Sequence, residues 1–334
     1  MKYAALGPIA VHLPEKVECS ADLQAEFPKW DVALIQSKTG IDRRHIAAPG
    51  ETSADLGVKA AEKLLKDFDV DPASIDYLLF CTQTPDYPLP TTACLIQDRL
   101  GLPTHCGAVD FNQGCSGYVY GLSLADGLIR TGTVKRILFV TAETYTKFIH
   151  PTDRSMRTIF GDAATATLID AADDQSLWGF KYGTDGSGAN TLIVGKGGFR
   201  PEEDAIPPRH RKRWPSEIYM DGPGIINFGE NRIPSLVDAI LEMSSMSMDS
   251  IKYLLFHQAT RKMLERLHEV LNVNEEKMPI MLEEVGNTVS STLPILINRL
   301  RSENKMSKQD KHMLVGFGVG LSWAGCVWQD RHQP

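Results

Sequence analysis

The sequence predicts an α/β protein built from two similar halves, and three observations carry that expectation. The chain has 334 residues, room at roughly 150 residues per domain for two domains or one large duplicated one. Residues 74–84 read SIDYLLFCTQT and residues 250–260 read SIKYLLFHQAT, identical at seven of eleven positions. Strand-like runs alternate with helical patterns on both sides of each repeat, as expected of βαβ units in mostly parallel sheets. The two runs lie 176 residues apart, about half the chain. Matching flanks favour an old duplication over a chance likeness of two core strands.

The elements follow in order. In the first half, Ser53 to Phe68 carries apolar residues at helical spacing ahead of the repeat. Thr91 to Leu100 reads as a helix, His105 to Phe111 as a strand, and Arg136 to Thr141 as a buried strand. In the second half, Ile233 to Met246 and Arg261 to Leu271 read as the helices flanking the repeat. Pro279 to Glu284 and His312 to Phe317 read as strands. The halves are assigned to residues 1–170 and 171–334. Between Gly195 and Ser216 lie three glycines, four prolines and the run Arg209-His210-Arg211-Lys212-Arg213. This segment reads as a loop, either simply solvated or a docking patch for an acidic partner or a phosphate.

Composition excludes several classes. With 35 basic and 42 acidic residues the net charge is -7, which argues against nucleic acid as the main partner. No apolar run reaches 18 residues, so no membrane span is expected. The start, Met1 to Pro8, is too short and too broken for a signal peptide. Six scattered cysteines form no CxxC pair and no cluster at metal-ligand spacing. They read as reduced thiols in a cytoplasmic protein without a metal site.

One cysteine stands apart. Cys115 follows an apolar strand, sits between Gly114 and Gly117, and precedes a helix with Tyr118, Leu122, Ala125 and Ile129 on one face. A strand, tight turn and helix present a nucleophile on a sharp corner. A helix N-terminus is expected to lower the thiol pKa, and its amides to bind an oxyanion. His257 ends the second repeat, at the strand end where ligands collect in α/β sheets. Asn287 follows a strand-like run and precedes the helical Ser291 to Leu300, so its amide is a candidate donor. Cys115, His257 and Asn287 also suit a cysteine hydrolase, which uses the same three residue types.

Seven segments in order resemble the β-ketoacyl-acyl carrier protein synthase III family of the thiolase superfamily. They are Thr39 to Ala47, the Cys115 turn, Pro151 to Arg154, Ile159 to Ala164, Phe256 to Ala259, Gly286 to Thr288 and Gly316 to Trp323. The resemblance implies a five-layer αβαβα thiolase-like fold of two duplicated halves. It implies that Cys115 takes an acyl group from a thioester, and that His257, through an Nε2–H, and Asn287 stabilise the enolate formed when a malonyl thioester loses CO2. The backbone amides of Cys115 and Val319 would form a second oxyanion hole. The substrates would be acyl-CoA or acyl carrier protein thioesters, with no cofactor or metal. The enzyme would act as a homodimer with acyl carrier protein as partner. An acyltransferase on the same fold, passing the acyl group to an alcohol or amine without decarboxylation, is the alternative.

Several positions depart from the family pattern. Leu34 stands where an adenine-stacking Trp is common, with Trp30 further upstream. Lys38 replaces an Arg, Thr260 an Asn, and Lys262 a carrier-binding Arg, whereas Arg154 is kept. Leu89 stands where a Phe of the dimer partner usually gates the acyl tunnel. These changes point to a carrier-borne primer or to a different way of binding CoA, and to a specialised pathway over housekeeping fatty-acid initiation.

Overall fold

A computed structural model of the chain describes residues 1–195, 197–200, 218–308 and 310–332. The first part runs β1 (Tyr3–His12), β2 (Lys16–Cys19), α1 (Ser20–Glu26), α2 (Val32–Thr39), β3 (Arg43–Ile46) and α3 (Ser53–Asp67). It continues through β4 (Tyr77–Cys81), α4 (Thr92–Arg99), β5 (Gly107–Phe111), α5 (Gly117–Arg130), β6 (Arg136–Glu143), α6 (Arg154–Arg157) and β7 (Ala163–Ala172). The second part runs β8 (Leu177–Thr184), β9 (Leu192–Val194), β10 (Ile218–Met220), α7 (Gly222–Ser244), β11 (Ile251–Phe256) and α8 (Arg261–Leu271). It ends with α9 (Thr292–Ser302), β12 (Lys311–Gly318) and β13 (Ser322–Gln329).

Two sheets organise these elements. The first has the order β1-β7-β6-β4-β5, the second β11-β12-β13-β8. In the first, β1 pairs antiparallel with β7, β7 antiparallel with β6, and β6 parallel with β4. The second repeats the scheme: β8 antiparallel to β13, β13 antiparallel to β12, and β12 parallel to β11. The repeated run is therefore one strand in two copies, β4 and β11. Helices α5 and α9 lie between the sheets, touching strands of both. Helices α3 and α4 cover the outer face of the first sheet, and α7 and α8 that of the second. The result is an αβαβα stack of five layers.

The burial explains the sequence pattern. With helices on both faces, Leu78 to Cys81, Leu254 to Phe256 and Ile137 to Val140 are almost wholly buried, as continuous apolar strands in covered parallel sheets must be. Local signals set the helix starts. The Thr52 hydroxyl accepts from Asp55 N–H, and Asp55 accepts from Thr52 N–H at 2.8 Å, closing a capping box ahead of α3.

Two elements differ from the sequence expectation. Residues 279–284 form no strand. Pro279 has no N–H to give a ladder, and the Gln258 side chain takes the ladder's place. Its Nε2 donates to Pro279 O at 3.3 Å, and its Oε1 accepts from Met281 N–H at 2.8 Å. Helix α7 begins at Gly222, eleven residues ahead of Ile233. Asp221 caps it by accepting from Gly224 N–H at 3.2 Å. Pro234, which reads as a first-turn proline, lies inside the helix. The basic run 209–213 lies outside the described residues. Among the described residues no helix is long and apolar enough to cross a membrane.

His312 on β12 carries a stability consequence. It is fully buried between Tyr253 and Trp328, and neither ring nitrogen has a hydrogen-bond partner. Burial pushes its pKa down to about 4. The unfolded chain takes up a proton below about pH 6.5 that the folded chain refuses until about pH 4, so stability falls across that window as pH drops. The shift corresponds to about 3 kcal/mol. His312→Phe is expected to flatten the pH dependence of the unfolding free energy, measured by urea titration between pH 6.5 and 4, by about that amount. An unchanged dependence would contradict this reading.

Candidate active site

The turn that carries Cys115 is built by close approach to β12. A Cβ on Gly316 would lie 2.7 Å from Cys115 O, and one on Gly318 would lie 2.9 Å from Cys115 Cβ and 3.0 Å from its sulfur. Gly114 has φ 54°, the left-handed region that favours glycine, and a Cβ there would meet Val319 at 2.5 Å. Residues Gly114–Ser116 form a single 3₁₀ turn, and α5 starts at Gly117. Ser116 Oγ meets Ser322 Oγ at 2.9 Å, and Gln113 Nε2 donates to Ser322 Oγ at 2.7 Å. The turn is thus pinned to the second sheet.

His257 directly follows β11, and its N–H donates to Val315 O at 2.8 Å. The ring is buried, with its edge toward Phe317 at 5.8 Å. Burial pushes its pKa down to about 3, so the imidazole is neutral at pH 7. Its Nδ1 lies 2.7 Å from Thr292 Oγ1. That hydroxyl also lies 3.1 Å from Val289 O.

Asn287 sits in a loop braced by the first half. Its N–H donates to Ile159 O at 2.9 Å, and its O accepts from Gly161 N–H at 3.1 Å. Its Oδ1 accepts from Val289 N–H at 2.9 Å, so Nδ2 is the end that Asn287 offers to the cavity. Val289 has φ 54°, a conformation that costs a β-branched residue about 1–3 kcal/mol. Thr141 Oγ1 meets Ser291 Oγ at 2.8 Å, and Ser290 Oγ donates to Glu143 Oε1 at 3.0 Å. These contacts join the end of β6 to the Asn287 loop.

The three side chains meet. Cys115, His257 and Asn287 line one cavity of about 160 Å³, otherwise walled mainly by apolar groups such as Phe160, Phe317, Met220 and Met263. A larger groove of about 760 Å³ shares Leu192 with it and runs past Val319, Tyr145 and Phe148 to the 84–88 segment. Lys38, Arg154 and Lys262 are exposed and do not line the cavity. Gly40, which ends α2, abuts Arg261 of α8, so the helices that carry Lys38 and Lys262 meet there. Thr260 lines the cavity and caps α8, accepting from Met263 N–H at 3.3 Å. Leu34 is exposed, and one face of Trp30 stacks on Phe27 at 4.0 Å. Leu89 is 81% exposed, next to the groove-lining Pro88. Among the described residues no group of three His, Cys, Asp or Glu side chains is placed to hold a metal.

The electrostatics correct one expectation. Burial, with Glu143 adding to it, pushes the Cys115 thiol up to about 12, not down. The N–H groups of Val319 and Cys115 point at the sulfur and offset part of the rise, but a dry pocket outweighs them. Glu143 itself was not visible as a site residue in the sequence. It is fully buried, accepts from Gln83 N–H at 3.0 Å, and burial raises its pKa to about 8. Its one sequence signal is an acid ending an otherwise apolar strand. Thr292 was also missed, because a Ser/Thr-rich stretch reads as an ordinary helix start.

Two duplicated α/β halves sharing one small apolar cavity with a cysteine turn define a thiolase-fold enzyme of acyl transfer. Residues 241–330 match the family description "3-Oxoacyl-[acyl-carrier-protein (ACP)] synthase III C terminal", and residues 109–186 match "3-Oxoacyl-[acyl-carrier-protein (ACP)] synthase III". A β-ketoacyl-[acyl-carrier-protein] synthase III of Lactococcus lactis is 33% identical, over 98% of this chain and 99% of its own. A crystal structure of a 3-oxoacyl-(acyl-carrier-protein) synthase from Burkholderia xenovorans is 37% identical, with a TM-score of 0.93 over 99% of this chain and 95% of its own. The priming β-ketosynthase of the R1128 polyketide pathway is 25% identical, with a TM-score of 0.88 over 100% of this chain and 98% of its own. The chain belongs to the β-ketoacyl-acyl carrier protein synthase III family, whose members are acyltransferases that condense an acyl group with a malonyl thioester. Condensation is therefore favoured over acyl transfer to an alcohol or amine.

The Glu143 contact generates a test of the electrostatics. Glu143→Gln removes the nearby carboxylate, so the pH midpoint for alkylation of Cys115 by iodoacetamide is expected to move down. A midpoint that stays in place would contradict the coupling.

Proposed function

We propose that Cys115 is the nucleophile and that His257 and Asn287 are the donors of the decarboxylation step. The observation that carries this reading is their meeting in one largely apolar cavity from three separate segments, with the Cys115 and Val319 amides turned to the sulfur. Cys115 sulfur attacks the primer thioester carbonyl, and the two amides hold the oxyanion. The primer C–S bond breaks, and the thiol proton ends on the departing thiol. A malonyl thioester then enters. Its C–CO2 bond breaks, and the electron pair forms an enolate whose oxygen accepts from His257 Nε2 and Asn287 Nδ2. The enolate carbon attacks the acyl carbonyl on Cys115. The electron pair of the broken C–S bond returns to sulfur, which takes a proton from solvent. No step uses a metal or a redox cofactor.

We further read the primer as arriving on acyl carrier protein. The exposed Leu34 offers no ring to an adenine, and base stacking on an aromatic contributes about 1–3 kcal/mol. The exposed Lys38, Lys262 and Arg154 offer positive charge to an acidic carrier. A homodimer is supported by β5, an edge strand exposing Val109, and by the protruding Leu89, suited to a partner's groove. Six unpaired cysteines fit a reducing cytoplasm. The pathway reading remains a specialised one, resting on the Leu34, Lys38 and Thr260 departures.

Two measurements test this. Asn287→Ala is expected to lower CO2 release from malonyl thioester by about 10²–10³-fold, the cost of one lost oxyanion donor, while acylation of Cys115 persists. Equal loss of both steps would contradict the assignment. Mass spectrometry of Cys115 is expected to show faster loading from acyl carrier protein than from acyl-CoA. Faster loading from CoA would remove the carrier preference.

A further inference from the structure

We propose that Thr292 is a positioning residue that fixes which nitrogen of His257 carries the ring proton, presenting Nε2–H to the cavity for the decarboxylation step. The proposal rests on the reading of His257 given above. The ring is neutral, so it carries a single N–H. Both residues are buried, His257 at 2% and Thr292 at 3% exposure, so no bulk water settles the choice. Among the described residues the one side chain in hydrogen-bond contact with Nδ1 is the Thr292 hydroxyl, at 2.7 Å.

That hydroxyl has one proton and two acceptors within reach, Nδ1 at 2.7 Å and Val289 O at 3.1 Å. Donated to Nδ1, the shorter contact, it requires a bare Nδ1 and leaves the ring proton on Nε2. Donated to Val289 O, it forces the proton onto Nδ1 and leaves Nε2 bare. A bare Nε2 repels an enolate oxygen instead of donating to it. The Val289 carbonyl also lies within hydrogen-bond reach of the imidazole; it only accepts, so without the hydroxyl to donate to Nδ1 it would compete for the ring proton. Thr292 opens α9 five residues after Asn287. One turn of chain therefore orients both donors: Val289 N–H turns the Asn287 amide, and Thr292 sets the imidazole.

The test separates the two half-reactions in Thr292→Val, which keeps the shape and removes the hydroxyl, and in Thr292→Ser, which keeps it. Thr292→Val is expected to lose CO2 release from malonyl thioester by about 10²-fold, the cost of a lost oxyanion donor, with Cys115 still acylated at near the wild-type rate. Thr292→Ser is expected to recover most of the lost activity. Wild-type decarboxylation in Thr292→Val, or equal loss of acylation, would overturn the proposal. If Thr292→Val does not fold, the ¹⁵N spectrum of histidine-labelled wild-type enzyme decides, with the His257 signal assigned by its loss in His257→Gln. A protonated Nε2 supports the proposal, and a protonated Nδ1 overturns it. Absence of any CO2 release by the wild type would instead defeat the reading of the site, and the ¹⁵N measurement would still decide the tautomer.

Discussion

The structure turns on the contact between the Cys115 turn and the end of β12. Gly316 and Gly318 lack side chains where the turn backbone and the sulfur press against them. That absence lets a residue of the first half sit within the second half's ring of functional groups. A Cβ at either glycine would need space that only moving the turn could supply. Two further features of the site follow from this approach. The Val319 amide reaches the sulfur because β12 runs past it. His257 lies beside it because β11 pairs with β12 in parallel register.

The same closeness buries the site, and burial reverses a simple electrostatic expectation. A helix N-terminus favours a thiolate by a modest amount, whereas full burial beside Glu143 penalises it far more. Burial therefore favours the neutral thiol at Cys115, and in the proposed reaction charge would develop as the sulfur meets a thioester carbonyl. The imidazole obeys the same rule with opposite sign: burial keeps it neutral, which suits a donor better than a cation that would need a counter-ion. Hydrogen bonds gain strength in such surroundings, so the orientation of one hydroxyl or one amide carries unusual weight.

Much of this was legible in the chain. The repeat at 74–84 and 250–260 marks β4 and β11, because both strands are covered on both faces and keep the same apolar run. Cys115, His257 and Asn287 stand out because glycines and strand ends surround them. The residues that escaped are those defined only by partners. Glu143 is one acid among many until Ser290 and Gln83 are seen to bind it. Thr292 looks like any helix-opening threonine until His257 lies against it. The missing strand at 279–284 escaped for a related reason: a side chain, Gln258, does the pairing that sequence patterns assign to backbone. The start of α7 escaped because Pro234 imitates a first turn.

The proposed reaction depends on one chemical step, in which an acyl group on Cys115 leaves by carbon–carbon bond formation driven by loss of CO2. The most direct measurement is a single turnover of enzyme preloaded on Cys115, mixed with malonyl-acyl carrier protein. Intact mass would follow the acyl group and a coupled assay the CO2. The account predicts one CO2 released for each acyl group lost, with a β-ketoacyl thioester as product. Loss of the acyl group without CO2, by hydrolysis or by transfer to an alcohol or amine, would contradict it.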